Sequence, residues 1–232
     1  MIDAPAPIEL EPGRWRLRRR PSPPEPKGDA ALIASGIVKR FGKRVVLDGA
    51  ELALRRGDIV AVVGENGAGK SSLLRICAGL LAADAGVVQR AGRVGYCPQE
   101  PALYDLLTAE EHLALFGRAQ GLDRAAALAQ GSAILGEFGF RAGDDTVAKA
   151  LSGGNRQKLN LSLALLGEPD VLLLDEPYQG FDHGTYVDFW DHVQGWRDRG
   201  LAVAVVTHML TELWRVDRVV ELTPPPGPTE AA

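Results

Sequence analysis

The sequence lacks the features that define several protein classes. It has two cysteines, too few for a disulfide framework or a four-ligand zinc site, which indicates a reducing compartment. Its apolar runs fall far short of the ~20 residues of a membrane helix, and its first residues do not resemble a signal peptide. Basic residues are not in excess, since 26 Lys and Arg stand against 30 Asp and Glu. We therefore expect a cytoplasmic protein that makes no direct contact with nucleic acid.

The composition is sufficient for a folded core, because 46% of the 232 residues are apolar. The two ends differ from the rest. Residues 1–29 are rich in proline and arginine, and residues 223–232 contain four more prolines. We predict disordered tails at 1–29 and 223–232, and a folded domain over 30–222. An alternative for the first tail is that Trp15 and the arginines contact an anionic membrane surface or a partner.

Hydrophobic periodicity predicts alternating strands and helices. Strands are predicted at 32–38, 45–54, 59–63, 87–89, 93–97, 171–175, 202–207 and 218–222. Helices are predicted at 70–78, 109–120, 124–138, 155–166 and 186–199. Continuously apolar strands such as 171–174 are typical of a parallel sheet that is covered on both faces. The pattern predicts an α/β fold.

A glycine-rich segment connects the strand at 59–63 to the helix that follows. Its residues are Gly64, Glu65, Asn66, Gly67, Ala68, Gly69, Lys70, Ser71 and Ser72. Strand, loop and helix in this order form a P-loop, whose backbone N–H groups surround a phosphate. Lys70 is expected to reach the β- and γ-phosphates, and the Ser71 hydroxyl to bind Mg²⁺. The segment predicts a nucleoside triphosphate site.

Two carboxylates follow a second apolar strand, in the order Leu174, Asp175, Glu176 and Pro177. In open α/β sheets, ligands collect at the carboxyl ends of the strands. We expect Asp175 to hold Mg²⁺, mainly through water, and Glu176 to orient and polarise the attacking water.

The segment Leu151-Ser152-Gly153-Gly154-Asn155-Arg156-Gln157-Lys158 resembles the signature motif of the ATP-binding cassette (ABC) family. The resemblance implies a P-loop NTPase core of RecA type with a parallel sheet, an antiparallel β subdomain and an α-helical signature subdomain over about 100–166. In this family, two subunits close head to tail around two ATP molecules. Ser152, Gly153 and Gly154 would then bind the ATP that the opposite subunit holds.

Four further positions are similar to functional positions of the family. The resemblance implies that Phe41 stacks on adenine, that Gln99 approaches Mg²⁺ near the docking site of a membrane subunit, and that His208 contacts the γ-phosphate. Asp182 is similar to an aspartate that faces the partner subunit. The small residues that usually precede this aspartate are replaced here by 178–181, beginning with Tyr178.

The resemblance implies an ATPase subunit, with ATP and Mg²⁺ as cofactors. It would work as a homodimer or a heterodimer on the inner face of the cell membrane, with a separate integral membrane subunit. The residues before Leu151 lack the stretch typical of exporters with fused membrane domains, which favours this separate subunit. Transport is our first interpretation, and export of a drug, peptide or lipid-like compound is one form of it. The alternatives are a soluble ABC ATPase of a non-transport machine, for iron–sulfur assembly or acting on ribosomes or DNA, and a non-hydrolysing regulatory module.

The remaining chemistry-bearing residues favour structural roles. We predict surface or helix-face positions for His112, His183 and His192, and helix faces packed on the sheet for Trp190, Trp196 and Trp214. Cys77 and Cys97 are expected to be buried. Thr108 and Glu111 have the spacing of a helix capping box.

Overall fold

The computed structural model describes residues 30–140, 145–178, 181, 183–208 and 210–225. Eight strands lie in these ranges: β1 Ala30–Phe41, β2 Arg44–Arg55, β3 Ile59–Val63, β4 Ala85–Arg90, β5 Val94–Cys97, β6 Val171–Asp175, β7 Ala202–Val206 and β8 Arg218–Glu221. The α-helices are α1 Lys70–Ala78, α2 Ala109–Ala119, α3 Arg124–Glu137, α4 Gly153–Leu165 and α5 His183–Asp198. Short 3₁₀ helices cover 148–150 and 210–215. The predicted elements are all present, with ends shifted by a few residues.

The strands form two sheets. An antiparallel sheet has the order β2-β1-β4, and a parallel sheet has the order β5-β6-β7-β3-β8. The parallel sheet places the carboxyl ends of β3, β5, β6 and β7 at one edge, where open α/β folds bind their ligands. This edge receives the P-loop, Gln99, Glu176 and His208.

Side chains of the parallel strands alternate between two cores, because successive residues of a strand point to opposite faces. Val171 and Leu173 of β6 pack with the antiparallel sheet and α1, whereas Leu172 and Leu174 pack against α4 and α5. All four side chains are fully buried. This double coverage explains the unbroken apolar run of β6.

A third, smaller core joins α2, α3 and α4, with Leu113, Leu135 and Leu159 buried at its centre. The helix α2 begins with the predicted capping box: Glu111 N–H donates to Thr108 Oγ1 at 3.2 Å, and Thr108 N–H donates to the Glu111 carboxylate at 2.8 Å. These helices pack on one another, and α4 joins them to β5 of the parallel sheet.

One prediction about side-chain exposure is wrong, that of Trp214, whereas His112 lies on the buried face of α2. His112 is fully buried, because Tyr104 N–H donates to its Nε2 at 2.9 Å and its Nδ1 lies 2.7 Å from the Thr108 carbonyl oxygen. These two contacts satisfy the ring inside the core. Trp214 is 72% exposed rather than packed on the sheet, and the Arg215 guanidinium lies 4.5 Å from its ring centre. Trp190, Trp196, Cys77 and Cys97 are buried as predicted.

Within the part of the chain that the structure describes, no helix combines the length and the apolar character needed to cross a bilayer.

Candidate nucleotide site

The P-loop backbone requires glycine at its two ends. A Cβ on Gly64 would lie 2.4 Å from the Leu222 carbonyl oxygen, and one on Gly69 would lie 2.6 Å from Leu47 Cδ2. Both residues have positive φ, 147° and 92°, which side chains strongly disfavour. The chain therefore turns from β3 into α1 in very little space, and the first N–H groups of α1 point into the concave side of the loop.

Lys70 lies across the mouth of this loop. Its side chain is only 6% exposed, and Nζ donates to the carbonyl oxygens of Gly64 at 2.7 Å and Glu65 at 3.0 Å. The tip of the loop is exposed at Glu65, Asn66 and Gly67, Ala68 is buried, and Ser71 and Ser72 are half-buried. An ammonium and the N-terminus of a helix thus face the same concave surface, an arrangement that suits phosphate.

Asp175 lies at the end of β6, opposite the P-loop serine. Burial raises the pKa of its carboxyl, while the Ser71 hydroxyl acts in the opposite direction. Tyr96 Oη donates to Oδ2 at 3.4 Å, but Oδ1 is buried without a hydrogen-bond partner among the described residues. A buried carboxylate oxygen without a partner, beside a hydroxyl, fits the oxygen ligands that Mg²⁺ prefers.

The structure brings three of the predicted residues together at the same edge. Glu176 Oε1 lies 2.5 Å from His208 Nε2, and Gln99 Nε2 donates to Glu176 Oε2 at 3.3 Å. The Glu176 side chain is 14% exposed and that of His208 is 44% exposed. A carboxylate held between an amide and an imidazole is positioned to accept a proton or to orient a water molecule.

Glu176 has a strained backbone. Its φ of 48° lies in the left-handed region, which costs a residue other than glycine about 1–3 kcal/mol. The conformation is held by a hydrogen bond from Glu176 N–H to the Val206 carbonyl oxygen at 3.2 Å. In this conformation the side chain contacts both Gln99 and His208.

Tyr178, where the chain departs from the usual family residues, connects two of these loops. Its hydroxyl donates to Thr207 Oγ1 and also contacts the His208 backbone. Burial raises the pKa of the phenol to about 12, and the ring packs edge-on against Tyr186 and Phe189. The residues after β6 and after β7 are therefore held together.

The signature segment begins α4, two residues earlier than predicted, because Ser152 is the N-cap residue. Its hydroxyl accepts a hydrogen bond from Asn155 N–H at 3.3 Å, which satisfies one N–H group of the first turn. Ser152 and Gly153 are exposed, and Gly154 is half-buried. None of the hydrogen bonds among the described residues joins Ser152, Gly153 or Gly154 to the P-loop.

Two site residues were not predicted from the sequence. Gln157 and Asn160, on the second turn of α4, donate hydrogen bonds to the carbonyl oxygens of Pro177 and Pro98. These carbonyls are next to Glu176 and Gln99. The sequence signal that could have identified Gln157 and Asn160 is their i, i+3 spacing, because this spacing places both amide side chains on one face of a helix.

Phe41 ends β1 and is 50% exposed. Lys39 Nζ lies 5.4 Å from its ring centre and 3.3 Å from Asp84, which also accepts from Arg40 N–H at 2.6 Å. Asp84 thus holds the end of β1, and with it the exposed ring. Asp182 lies outside the described residues.

A parallel sheet with a P-loop after β3 and paired carboxylates after β6 defines the P-loop NTPase fold. Comparison with known proteins narrows this class. Residues 47–179 match the ABC transporter family, and the chain belongs to that family.

Named relatives and a solved structure agree with this assignment. The chain is 35% identical over 196 residues to the daunorubicin resistance ATP-binding protein DrrA3 of Streptomyces coeruleorubidus, covering 79% of this chain and 62% of that protein. It is 37% identical over 202 residues to the aliphatic sulfonates import ATP-binding protein SsuB 1 of Burkholderia lata, covering 84% of this chain and 61% of that protein. A solved ATP-binding subunit of an ABC transporter superposes on this chain with a TM-score of 0.75 at 28% identity, and the match covers 83% of this chain and 85% of that one. The chain thus spans less than two thirds of either curated relative.

Proposed function

We propose that this chain is the ATP-hydrolysing subunit of a membrane transporter. The observation that carries the proposal is the contact of Gln99, Glu176 and His208 at the sheet edge that holds the P-loop. In our proposal, residues 30–222 form the ATP-binding domain and about 100–166 its helical subdomain, a division supported by the separate core of α2, α3 and α4.

In the proposed reaction, the residues of the P-loop bind the phosphates of ATP and Phe41 stacks on adenine. Ser71, Asp175 and Gln99 would hold Mg²⁺, which when bound neutralises charge on the β- and γ-phosphate oxygens. Glu176 orients and polarises the attacking water, and His208 contacts the γ-phosphate. Lys70 leaves the loop carbonyls and takes the phosphate oxygens as its partners.

We further propose that the active form is a dimer, either of this chain or with a similar subunit. Ser152 and Gly153 are exposed and Gly154 is half-buried at the start of α4, yet no hydrogen bond among the described residues joins them to the P-loop of the same chain. The arrangement is complete if each of these segments meets the nucleotide of the partner. Asp182 would face the partner at this interface.

The proposed membrane subunit docks on exposed apolar side chains near α2. Tyr104 is 59% exposed and Leu106 is 70% exposed in the loop before the helix, and Leu115 is 47% exposed on it. Docking there would place the chain on the inner face of the cell membrane, next to the loop of Gln99. The net charge of −4 gives no reason to add a nucleic-acid partner.

We propose export as the direction, on the strength of the relative named for daunorubicin resistance. A relative named for sulfonate import belongs to the same family, so the direction is decided by transport into vesicles of defined orientation. If the transported compound accumulates in inside-out vesicles when ATP is added, export is supported. If it accumulates only in right-side-out vesicles loaded with ATP, export is contradicted.

The decisive experiment is affinity capture of the tagged chain from detergent-solubilised membranes of its own host, followed by mass spectrometry. A stoichiometric multispanning membrane protein is expected. Leu106→Asp should no longer capture this membrane protein. Leu80→Asp is the matched control and should still capture it, because Leu80 is equally exposed, at 67%, but lies beyond the end of α1 and outside the proposed docking surface. Recovery of only ribosomal, DNA-bound or cluster-assembly partners would support the soluble non-transport machine instead.

A further inference from the structure

Two buried amide side chains lie on one face of α4, behind the signature segment. Gln157 is 1% exposed and Asn160 is 4% exposed, and Asn160 Nδ2 lies 3.4 Å from Gln157 Oε1. Ser152 precedes Gln157 by five positions, which is about 7.5 Å along a helix axis. The two amides are thus rigidly connected to the exposed N-terminus of the helix.

Each amide holds one catalytic loop. Asn160 Nδ2 donates to the Pro98 carbonyl oxygen at 2.9 Å and lies 3.2 Å from Cys97 Sγ. Pro98 directly precedes Gln99 in the chain. Gln157 Nε2 donates to the carbonyl oxygen of Pro177, the residue that directly follows Glu176, at 2.9 Å. Since Gln99 and Glu176 contact each other at 3.3 Å, the same helix face constrains both members of a catalytic contact.

The choice of amides is informative because most of the buried side chains around them on this helix are apolar. Leu159, Leu161 and Leu163 of α4 are buried. A buried polar group is costly unless its hydrogen bonds are made, and making them fixes one geometry where apolar packing would tolerate several. Gln157 and Asn160 therefore set the position of two loop carbonyls relative to α4.

We propose that Gln157 and Asn160 are positioning residues that couple the Ser152–Gly154 segment to Gln99 and Glu176 of the same chain. The inference rests on the proposed function, in which that segment binds the partner's ATP. A nucleotide that engages the N-terminus of α4 orients the helix, and the two amides transmit this orientation to the loops that act on the chain's own ATP. The link makes the two ATP sites of a dimer cooperative.

The test compares steady-state ATPase kinetics of the full chain and of variants that lack the amide donors. Asn160→Leu and Gln157→Met keep the size of each side chain and remove its donor. We expect kcat to fall about tenfold and the Hill coefficient for ATP to fall toward 1. Affinity for a fluorescent ATP analogue, measured on dilute chains, should stay within twofold of wild type. Asn160→Ala is the second variant if Asn160→Leu does not fold, as judged by circular dichroism and thermal melting.

Ser162→Ala is the matched control. Ser162 is fully buried on the same helix, and its hydroxyl donates to the Lys158 carbonyl oxygen at 2.9 Å within the helix. Since this bond connects Ser162 to neither catalytic loop, the kcat and Hill coefficient of the Ser162→Ala variant should remain those of wild type. An equal loss in Ser162→Ala would overturn the coupling role in favour of general helix packing.

A double-mutant cycle separates this inference from the proposed function. Ser152→Ala alone should lower kcat strongly, and in the Asn160→Leu background its further effect should be a smaller factor than in wild type, because part of its effect passes through the contacts that Asn160→Leu already removes. If both single changes lower kcat and their effects multiply, the coupling is wrong and the proposed function stands. If wild type shows no ATPase activity, or Ser152→Ala has no effect, the proposed function itself fails.

Discussion

The hydroxyl of Tyr178 donates a hydrogen bond to the hydroxyl of Thr207, and it thereby joins the residue that follows Pro177 to the residue that precedes His208. Thr207 is 1% exposed, and Tyr178 is half-buried. The distance between Glu176 and His208 is therefore set by a connection outside their own side chains. A tyrosine in place of a small residue at this position gains a structural explanation.

Tyr178→Phe removes this connection together with the contact between the hydroxyl and the His208 backbone. A hydrogen bond of this kind contributes about 1 kcal/mol, which corresponds to roughly a fivefold change in rate if it acts on the transition state. We expect kcat to fall about fivefold with little change in KM, as measured by steady-state ATPase assays. Thr207→Val should have a similar effect, and the double variant should lose no more than Tyr178→Phe alone. Wild-type kcat in Tyr178→Phe would contradict the role of the hydroxyl.

Glu176→Gln should retain ATP binding and lose turnover. The amide keeps the size of the carboxylate but cannot accept a proton, and general-base groups contribute about 100-fold or more. Fluorescent nucleotide binding and phosphate release are the two measurements. Glu168→Gln is a suitable control, because Glu168 also has a left-handed backbone, with φ of 53°, but is exposed at the opposite end of β6. Hydrolysis at the wild-type rate in Glu176→Gln would exclude Glu176 as the catalytic group.

Asp175→Asn should stabilise the nucleotide-free chain while abolishing Mg²⁺-dependent hydrolysis. Burial raises the pKa of Asp175, so the folded chain binds this proton more tightly than the unfolded chain does. The ionised carboxylate is therefore a stability cost at neutral pH that disappears as pH falls below the raised pKa. We expect the free energy of unfolding in urea to rise at neutral pH, and the gain to shrink on acidification.

Asp170→Asn is the control of opposite sign. The Arg93 backbone N–H and the Arg56 guanidinium hold the pKa of Asp170 below its ordinary value. This group stabilises the fold above the ordinary pKa, and its contribution is lost as pH falls through the lowered one. Asp170→Asn should therefore destabilise the chain at neutral pH. The same sign of change in both variants would contradict the contrast between the two ends of β6.

Mixed dimers test whether each ATP site is built from two chains. Glu176→Gln chains and Ser152→Ala chains should each be nearly inactive. A mixed dimer contains one intact site, made of the P-loop and Glu176 of the Ser152→Ala chain and of Ser152 from the other. Mixing the two variants before ATP is added should therefore restore a substantial part of the phosphate release. No recovery, in a mixture shown by cross-linking to contain heterodimers, would place both residues in one chain's site.

The fold could be predicted from local sequence signals. Unbroken apolar strands such as β6, and a glycine-rich segment between β3 and α1, depend on neighbours in the chain and are visible there. The contacts of Gln157, Asn160 and Tyr178 join residues distant in sequence, and a polar residue on a helix has the same local pattern whether it is buried or exposed. His112 shows this limit, because only tertiary partners decide that its ring is satisfied in the core.

Two destabilising features meet at consecutive positions: the desolvated carboxylate of Asp175 and the left-handed backbone of Glu176. Neither contributes to folding: an uncharged residue at position 175 is expected to remove the first cost, and glycine at position 176 the second. Random mutation under selection for stability alone would therefore remove this pair. The pair carries a stability cost at the two positions to which we assign the chemistry, and a copy of the fold released from hydrolysis would be expected to lose these two residues first.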